Sequence, residues 1–284
     1  MWSKVLLVVA VVVLLVAAGV ALALVVGEQR WRSQSETLEG RLDAGVATAE
    51  VSSDVQALPI PVRRYLETVL PPGAAPIERA RIEHVGTFDM GGGEPNWRPF
   101  RSVQEVRTHR PGFVWDARIA MAPGLTAFVH DAYVAGEGVL RAALAGLLTV
   151  MEQPASPELA QGEALRYLAE TPWYPTALLP GQGVRWEAID EAHALAILED
   201  GETSVSLLFE FGPDGLVHSV RADERYREVD GMIVATPWLG RHWNYEWRDG
   251  VLVPLEGEVA WLLPDGPRPY WRGTVERIEF ASAR

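Results

Sequence analysis

The chain has 284 residues, 48% of them hydrophobic, enough to bury a sizeable core, and 38 acidic against 25 basic side chains leave a formal charge of -13. That charge repels phosphate backbones and anionic headgroups within about 8 Å, which argues against nucleic acid as a partner. With no cysteine, disulfides, thiolate metal sites, iron–sulfur ligation, thiol catalysis and a lipid anchor on an N-terminal Cys are excluded together.

From Val5 to Val26 the chain is an unbroken run of Val, Leu and Ala around a single Gly19. As a helix it measures about 33 Å, enough to cross a bilayer core of about 30 Å. Trp2 and Trp31 bracket it at headgroup level, with Lys4, Arg30 and Arg32 at its ends. A cleaved signal peptide is the rival reading, with Ala21-Leu22-Ala23 as a small-x-small site. The run exceeds the roughly 7–15 residues of a signal-peptide core, so an uncleaved anchor over residues 1–27 is expected. Positive charges flank both ends, and a short N-terminal tail before one span favours a single-pass protein of a bacterial inner or plasma membrane, its main domain extracytoplasmic. Residues 28–57 read as a polar linker or stalk. Within them Ser33-Gln34-Ser35-Glu36 has the form of a capping box for a short helix.

Residues 58–284 read as one β-rich domain. Val62, Tyr65, Leu66, Val69 and Leu70 share a helix face, and Pro71-Pro72-Gly73 ends that helix. Gly91-Gly92-Gly93 reads as a flexible turn. The period then changes to two: Phe113, Trp115, Ala117, Ile119 and Met121 alternate with more polar neighbours, after an Arg110-Pro111-Gly112 turn. Leu140, Leu144, Leu147, Leu148 and Met151 predict a helical interlude. Ser156-Pro157-Glu158 then supplies an N-cap, a first-turn proline and a first-turn acid for a helix running to Glu170. From Val184 to Phe280 short alternating segments are joined by Asp214-Gly215, Asp249-Gly250 and Asp265-Gly266, which supply the positive φ of tight hairpins. The expected fold class is α+β, mostly antiparallel β: a curved sheet or half-barrel closed by a few helices and preceded by one transmembrane helix.

Five segments, Leu58–Leu66, Pro111–Ala117, Gly162–Glu170, Trp173–Leu179 and Thr236–Gly240, together resemble an uncharacterised bacterial family catalogued as a domain of unknown function. That resemblance implies no activity and no catalytic residue. The layout is also similar to the half-barrel of periplasmic lipoprotein carriers, an analogy of architecture that implies a hydrophobic cavity between sheet and helices.

Enzyme signatures are missing: there is no G-x-S-x-G elbow, phosphate-binding glycine loop or H-E-x-x-H pair. The six histidines are scattered singly, so no catalytic residue, metal site or cofactor is expected. His130-Asp131 is the nearest to a functional pair, but adjacent strand residues point to opposite faces. Glu163, Arg166 and Glu170 can meet on one flank of their helix, either as a surface ion-pair ladder, the first reading, or with Arg166 turned inward to hold an anionic headgroup or tie helix to sheet. The aromatics are the strongest signal, with 11 tryptophans. Trp243, Tyr245 and Trp247 are expected on one sheet face, with Trp186, Trp238, Trp261, Tyr270 and Trp271 on neighbouring strands, Trp115 on the Phe113–Met121 strand, and Tyr167 and Trp173 near the second helix. Such faces form either a core or a pocket for a lipid or other hydrophobic molecule. The runs Ala142–Met151 and Thr176–Leu179 read as core first and as membrane-surface contacts second. The candidate ligand site is therefore Trp115, Arg166, Tyr167, Glu170, Trp173, Trp238, Trp243, Tyr245, Trp247 and Trp261. The expected function is a membrane-tethered, non-enzymatic module that binds a lipid, with an envelope interaction domain or an unrecognised hydrolase as alternatives. A buried carboxylate or histidine in a cleft would be the first sign of the hydrolase.

Overall fold

The N-terminal apolar run does not end at its first polar residue. In the computed structural model, which describes residues 2–44, 55–91, 94–229 and 231–282, one helix α1 runs unbroken over Trp2–Asp43. Its first half is fully exposed and has the length and apolarity of a membrane span. Its second half packs on the domain: Gly27, Trp31, Ser35, Leu38 and Leu42 are buried, spaced as one helix stripe. This corrects the reading of Ser33–Glu36 as a capping box, since no helix starts there. Ser35 instead hydrogen-bonds inside the domain because the stripe continues through it. Trp31 likewise faces the domain, where it is 1% exposed, and does not present its ring to lipid. Residues 45–54 of the expected linker, and Gly92 and Gly93 of the glycine turn, lie outside the described residues.

Helix α2 (Ile60–Val69) starts with a proline in its first turn and buries Val62, Tyr65, Leu66 and Val69. Six strands follow: β1 (Ile77–Asp89), β2 (Trp97–Arg107), β3 (Gly112–Ala122), β4 (Leu125–Val134), β5 (Glu137–Leu144) and β6 (Leu148–Gln153). Helix α3 (Pro157–Ala169) is capped as its sequence predicts, Ser156 accepting a hydrogen bond from the Leu159 amide. Two short 3-10 turns, Thr171–Trp173 and Pro175–Leu178, lead into β7 (Val184–Ala188), β8 (His193–Asp200), β9 (Thr203–Phe211), β10 (Val217–Val229), β11 (Met232–Arg248), β12 (Val251–Leu263) and β13 (Gly266–Ser282).

The helical interlude at 140–151 is overturned: Leu140 and Leu144 lie in β5, and Leu148 and Met151 in β6. The same leucines satisfy a period of two, and the backbone decides between the periods. Ala145 and Gly146 have φ of 50° and 68°, the left-handed pair of a tight hairpin, which ends any helix between Leu144 and Leu148. An alanine in that conformation is uncommon, so the signal is weak in sequence.

The 13 strands form one antiparallel sheet in the order β6-β5-β4-β3-β2-β1-β13-β12-β11-β10-β9-β8-β7. The first and last strands pair at its centre, Ile82 opposite Ile278. Helix α3 touches β4 and β5 near one edge and β9 and β10 towards the other. A flat sheet cannot do this; the sheet curls into a half-barrel with α3 in its concave side. The fold is thus mostly antiparallel β with a few helices.

Strands β3–β5 are covered on both faces. On the outer face α1 seals a polar knot in which the Trp31 indole donates to Asp116 (3.0 Å) and stacks on His130, centroids 4.0 Å apart. Ser35 Oγ lies 2.8 Å from both Asp116 and His130 Nε2. Burial pushes the Asp116 carboxyl up, but the neighbouring His130 ring, Arg118 and the Trp31 indole outweigh it and hold the group below the usual carboxylate range. Asp131, one residue on, faces the concave side, as the strand period requires.

Candidate functional site

Between the concave face and α3 lies a cavity of about 530 Å³. One wall is the inward set of β3–β5, including Trp115, Ile119, Val129 and Leu140; the other is the inward set of β11–β13, including Trp238, Val259, Trp261 and Tyr270. Two features of the sequence hold it open. Glycines under the indoles let the rings lie along the strands: an added Cβ at Gly273 would stand 2.2 Å from the Trp271 ring, and at Gly240 3.1 Å from the Trp238 ring. Gly162 leaves α3 bare where it faces the cavity, since a Cβ there meets nothing nearer than Arg225 Nε at 3.9 Å. A mid-helix glycine costs about 1 kcal/mol relative to alanine, and here the cost coincides with empty space.

Two polar clusters sit in this apolar wall. Arg166 donates to Glu170 (2.8 Å), Asp131 (2.6 Å) and Gln104 (3.3 Å), and its guanidinium lies over Phe113 and Trp115 at 4.7 and 5.0 Å. Gln104 in turn donates to Glu170 at 2.6 Å. The ladder expected on the surface is therefore inside. Its side chains are 14% exposed, and Arg166 ties α3 to β2 and β4, because the flank that carries it is the one facing the sheet. Glu163 turns away to Arg225, at 3.9 Å. Arg225 donates to the Tyr270 hydroxyl (3.1 Å), which also accepts from the Trp238 indole (2.9 Å), and its guanidinium lies 5.1 Å from the Trp238 ring.

Burial, and then the nearby Asp131 charge, push the Glu163 carboxyl well above the usual range, so the neutral acid is favoured. With Glu163 neutral, Arg166 and Arg225 balance Asp131 and Glu170. Glu163 Oε2 and Asp131 Oδ1 are both buried and have no other hydrogen-bond partner, so the proton on Glu163 is shared between these two carboxyl groups. Of the two histidines near Trp173, His242 lines the cavity and burial pushes it down to about 4. His84 lies behind the wall, pushed down to about 3 by burial and then by Arg166. Among the described residues no three His, Asp or Glu side chains are grouped to hold a metal ion.

Six residues of the sequence-predicted site, Trp115, Arg166, Glu170, Trp173, Trp238 and Trp261, line the cavity. Four do not. Tyr167 is buried on the other side of α3 against Tyr174, ring centroids 5.5 Å apart. Tyr245 is half-buried and donates its hydroxyl to the Val217 carbonyl at 2.7 Å. Trp243 and Trp247 are 42% and 56% exposed. The concave set of β11 is even-numbered, Thr236, Trp238, Gly240 and His242 being buried, and Trp243 falls on the other parity. Asn244, at φ 57°, lies within β11, whose pairing with β12 continues at Tyr245 in the same register. Sequence reasoning placed Tyr270 with the aromatic strands but did not bring Arg225, Asp131 and Glu163 to the same space. The available signal was a charged residue at an inward strand position, Asp131 beside His130 and Arg225 three residues after Ala222.

Comparison with solved structures finds similarity to a LolA superfamily protein from Nitrosomonas europaea, at 10% identity and a TM-score of 0.41, over 79% of this chain and 93% of that one. A β-barrel-like protein of domain of unknown function DUF1849 from Brucella abortus is similar at 12% identity and a TM-score of 0.25, over 74% of this chain and 100% of its own. No curated protein matches the sequence. The sequence pattern of a family of unknown function, DUF6920, matches residues 56–280, and the chain belongs to that family.

Proposed function

We propose that the chain is a single-pass protein of a bacterial inner or plasma membrane whose extracytoplasmic domain holds an acyl chain or another flat hydrophobic molecule in the cavity, without chemistry on it. The observation that carries this reading is the cavity itself. Its volume of about 530 Å³ falls within the roughly 300–1,000 Å³ of small-molecule sites, and its wall is apolar with few polar groups. The charge balance of the two polar clusters suits a ligand that is neutral where it lies deepest. The Asp131 and Glu163 carboxyls in the lining suit a hydroxyl or amide on that ligand. The exposed apolar half of α1, Val5–Val26, supports the tether.

The reading is tested by titrating the detergent-solubilised full chain with nitroxide-labelled fatty acid and following tryptophan emission. Saturable quenching that Trp261→Phe weakens is expected; non-saturable quenching, or none, rejects it.

A second reading has one observation in its favour. Glu163, buried and biased to its neutral form beside Asp131, is the kind of carboxyl pair that serves acid–base chemistry. Turnover of a bound ester or glycoside, lost in Glu163→Gln with binding retained, would replace the carrier reading with a hydrolase.

A further inference from the structure

The point at which α1 leaves the domain fixes where the cavity lies relative to lipid. This argument rests on the tether proposed above. The apolar run ends at Val26, and the next residue, Gly27, is pressed against the β5–β6 turn: an added Cβ there would stand 2.0 Å from the Ala145 carbonyl oxygen. The β5–β6 turn is joined to the β3–β4 end, Ala145 donating to the Thr126 carbonyl at 2.8 Å. From Gly27 the helix runs along the outer face to the opposite end of the same strands, where Arg41 pairs with Glu137 at 2.6 Å and Asp43 with Arg107 at 2.5 Å. The apolar half of α1 therefore projects beyond the β3–β4 and β5–β6 turns and away from the rest of the domain. These turns stand at the level where the helix changes from apolar to polar.

The two ends of these strands differ in chemistry. The far end carries Arg110, Glu137 and the helix ion pairs. The near end exposes Leu125 (39%), Leu148 (63%) and Val150 (52%), with Met151 beside them. Val150 and Met151 also line the cavity, so the apolar edge and the cavity are continuous. Arg30 and Arg32, exposed on the helix just past the boundary, place positive charge where headgroup phosphates lie. An apolar edge at this depth, next to a spanning helix, meets the lipid interface before it meets anything else.

We infer that the β3–β4 and β5–β6 tips rest in the headgroup layer of the bilayer that holds α1, so that the cavity opens onto lipid. The domain then exchanges a hydrophobic ligand directly with the membrane and not with the aqueous phase.

The test uses the absence of native cysteine. Leu14→Cys, Leu148→Cys, Leu125→Cys and Glu137→Cys are made singly in the full chain, labelled with an environment-sensitive fluorophore and placed in nanodiscs with or without nitroxide lipids, labelled near the headgroup for positions 148, 125 and 137 and deep in the acyl chain for position 14. Emission at positions 148 and 125 should fall at least about twofold with the nitroxide lipid, while position 137 does not change. Quenching at 14 but not at 148 and 125 overturns this inference and leaves the tether and the cavity standing. No quenching at 14 overturns the tether and the inference with it. A Leu148→Cys disulfide dimer formed in place of lipid quenching assigns the edge to a second copy and also overturns it. Val150→Cys replaces Leu148→Cys if the latter fails to fold by circular dichroism. Copurifying lipid, measured on the same preparations, reports the cavity independently of where its mouth lies.

Discussion

Strands β3–β5 carry a helix on each face, and the two interfaces are built differently. On the outer face α1 meets the sheet closely, with Trp31 1% exposed and its indole, Ser35, Asp116 and His130 all partnered. On the inner face α3 stands off, held by the Arg166 tie and leaving a cavity. His130 and Asp131 are neighbours in sequence, yet one belongs to the sealed side and the other to the hollow one. A dense polar knot fixes position, because a partly satisfied one is costly in low dielectric. An apolar hollow is a place where something else can supply the missing contacts.

The largest effect should come from the sealed side. Trp31→Ala removes a fully buried indole and its hydrogen bond, and should cost about 3–5 kcal/mol of unfolding free energy in urea titrations. Trp261→Ala, at the half-empty wall, should cost less, about 1–2 kcal/mol. Equal costs would erase the distinction between the two faces.

A smaller effect concerns the wall between cavity and core. His84 is buried with neither ring nitrogen hydrogen-bonded and is pushed down to about 3, so the folded chain refuses a proton that the unfolded chain takes up near the ordinary histidine value of 6.5. Its contribution is complete above that value and is lost as pH falls, by about 2 kcal/mol between pH 6.5 and about pH 4.5. His242, pushed down to about 4 by burial, acts in the same sense. Glu163, raised by burial, acts in the opposite one. The difference in pH profile between wild type and His84→Phe isolates the His84 contribution, and identical profiles would show that the ring is not held neutral by its surroundings. The smallest effect is expected outside both interfaces. Trp247→Ala, at a 56% exposed position, should change stability by no more than about 0.5 kcal/mol; a larger loss would mean that the outer strand surface is covered by a partner.

Much of this architecture was legible in the residues. Ser156-Pro157-Glu158 starts α3 where its capping chemistry requires, and Asp249-Gly250 turns the chain with φ of 46° and 81°. Two elements were misread for physical reasons. In β5–β6 the leucines fit both periods, and an Ala-Gly turn is a weak marker of positive φ. In α1 the stripe Trp31, Ser35, Leu38, Leu42 has helix spacing and was open to reading, but its polar surroundings resemble a solvated stalk. The site was half legible. Aromatic residues announce an apolar face, whereas the joining of Arg225 to Tyr270 and of Arg166 to Asp131 depends on which distant strands the curl brings together, and strand register is not written in any one segment.

A hydrophobic ligand in the space beside Gly162 is what the proposed function requires above all. Gly162→Leu fills that space from a helix position where a Cβ meets only Arg225 Nε at 3.9 Å, and leucine is a better helix former than glycine. Native mass spectrometry of wild type and Gly162→Leu, extracted from membranes under the same conditions, is the direct test. A copurifying lipid on the wild type that is absent from a folded Gly162→Leu is the predicted result. A wild type with no bound lipid, or a variant that retains the same one, contradicts it.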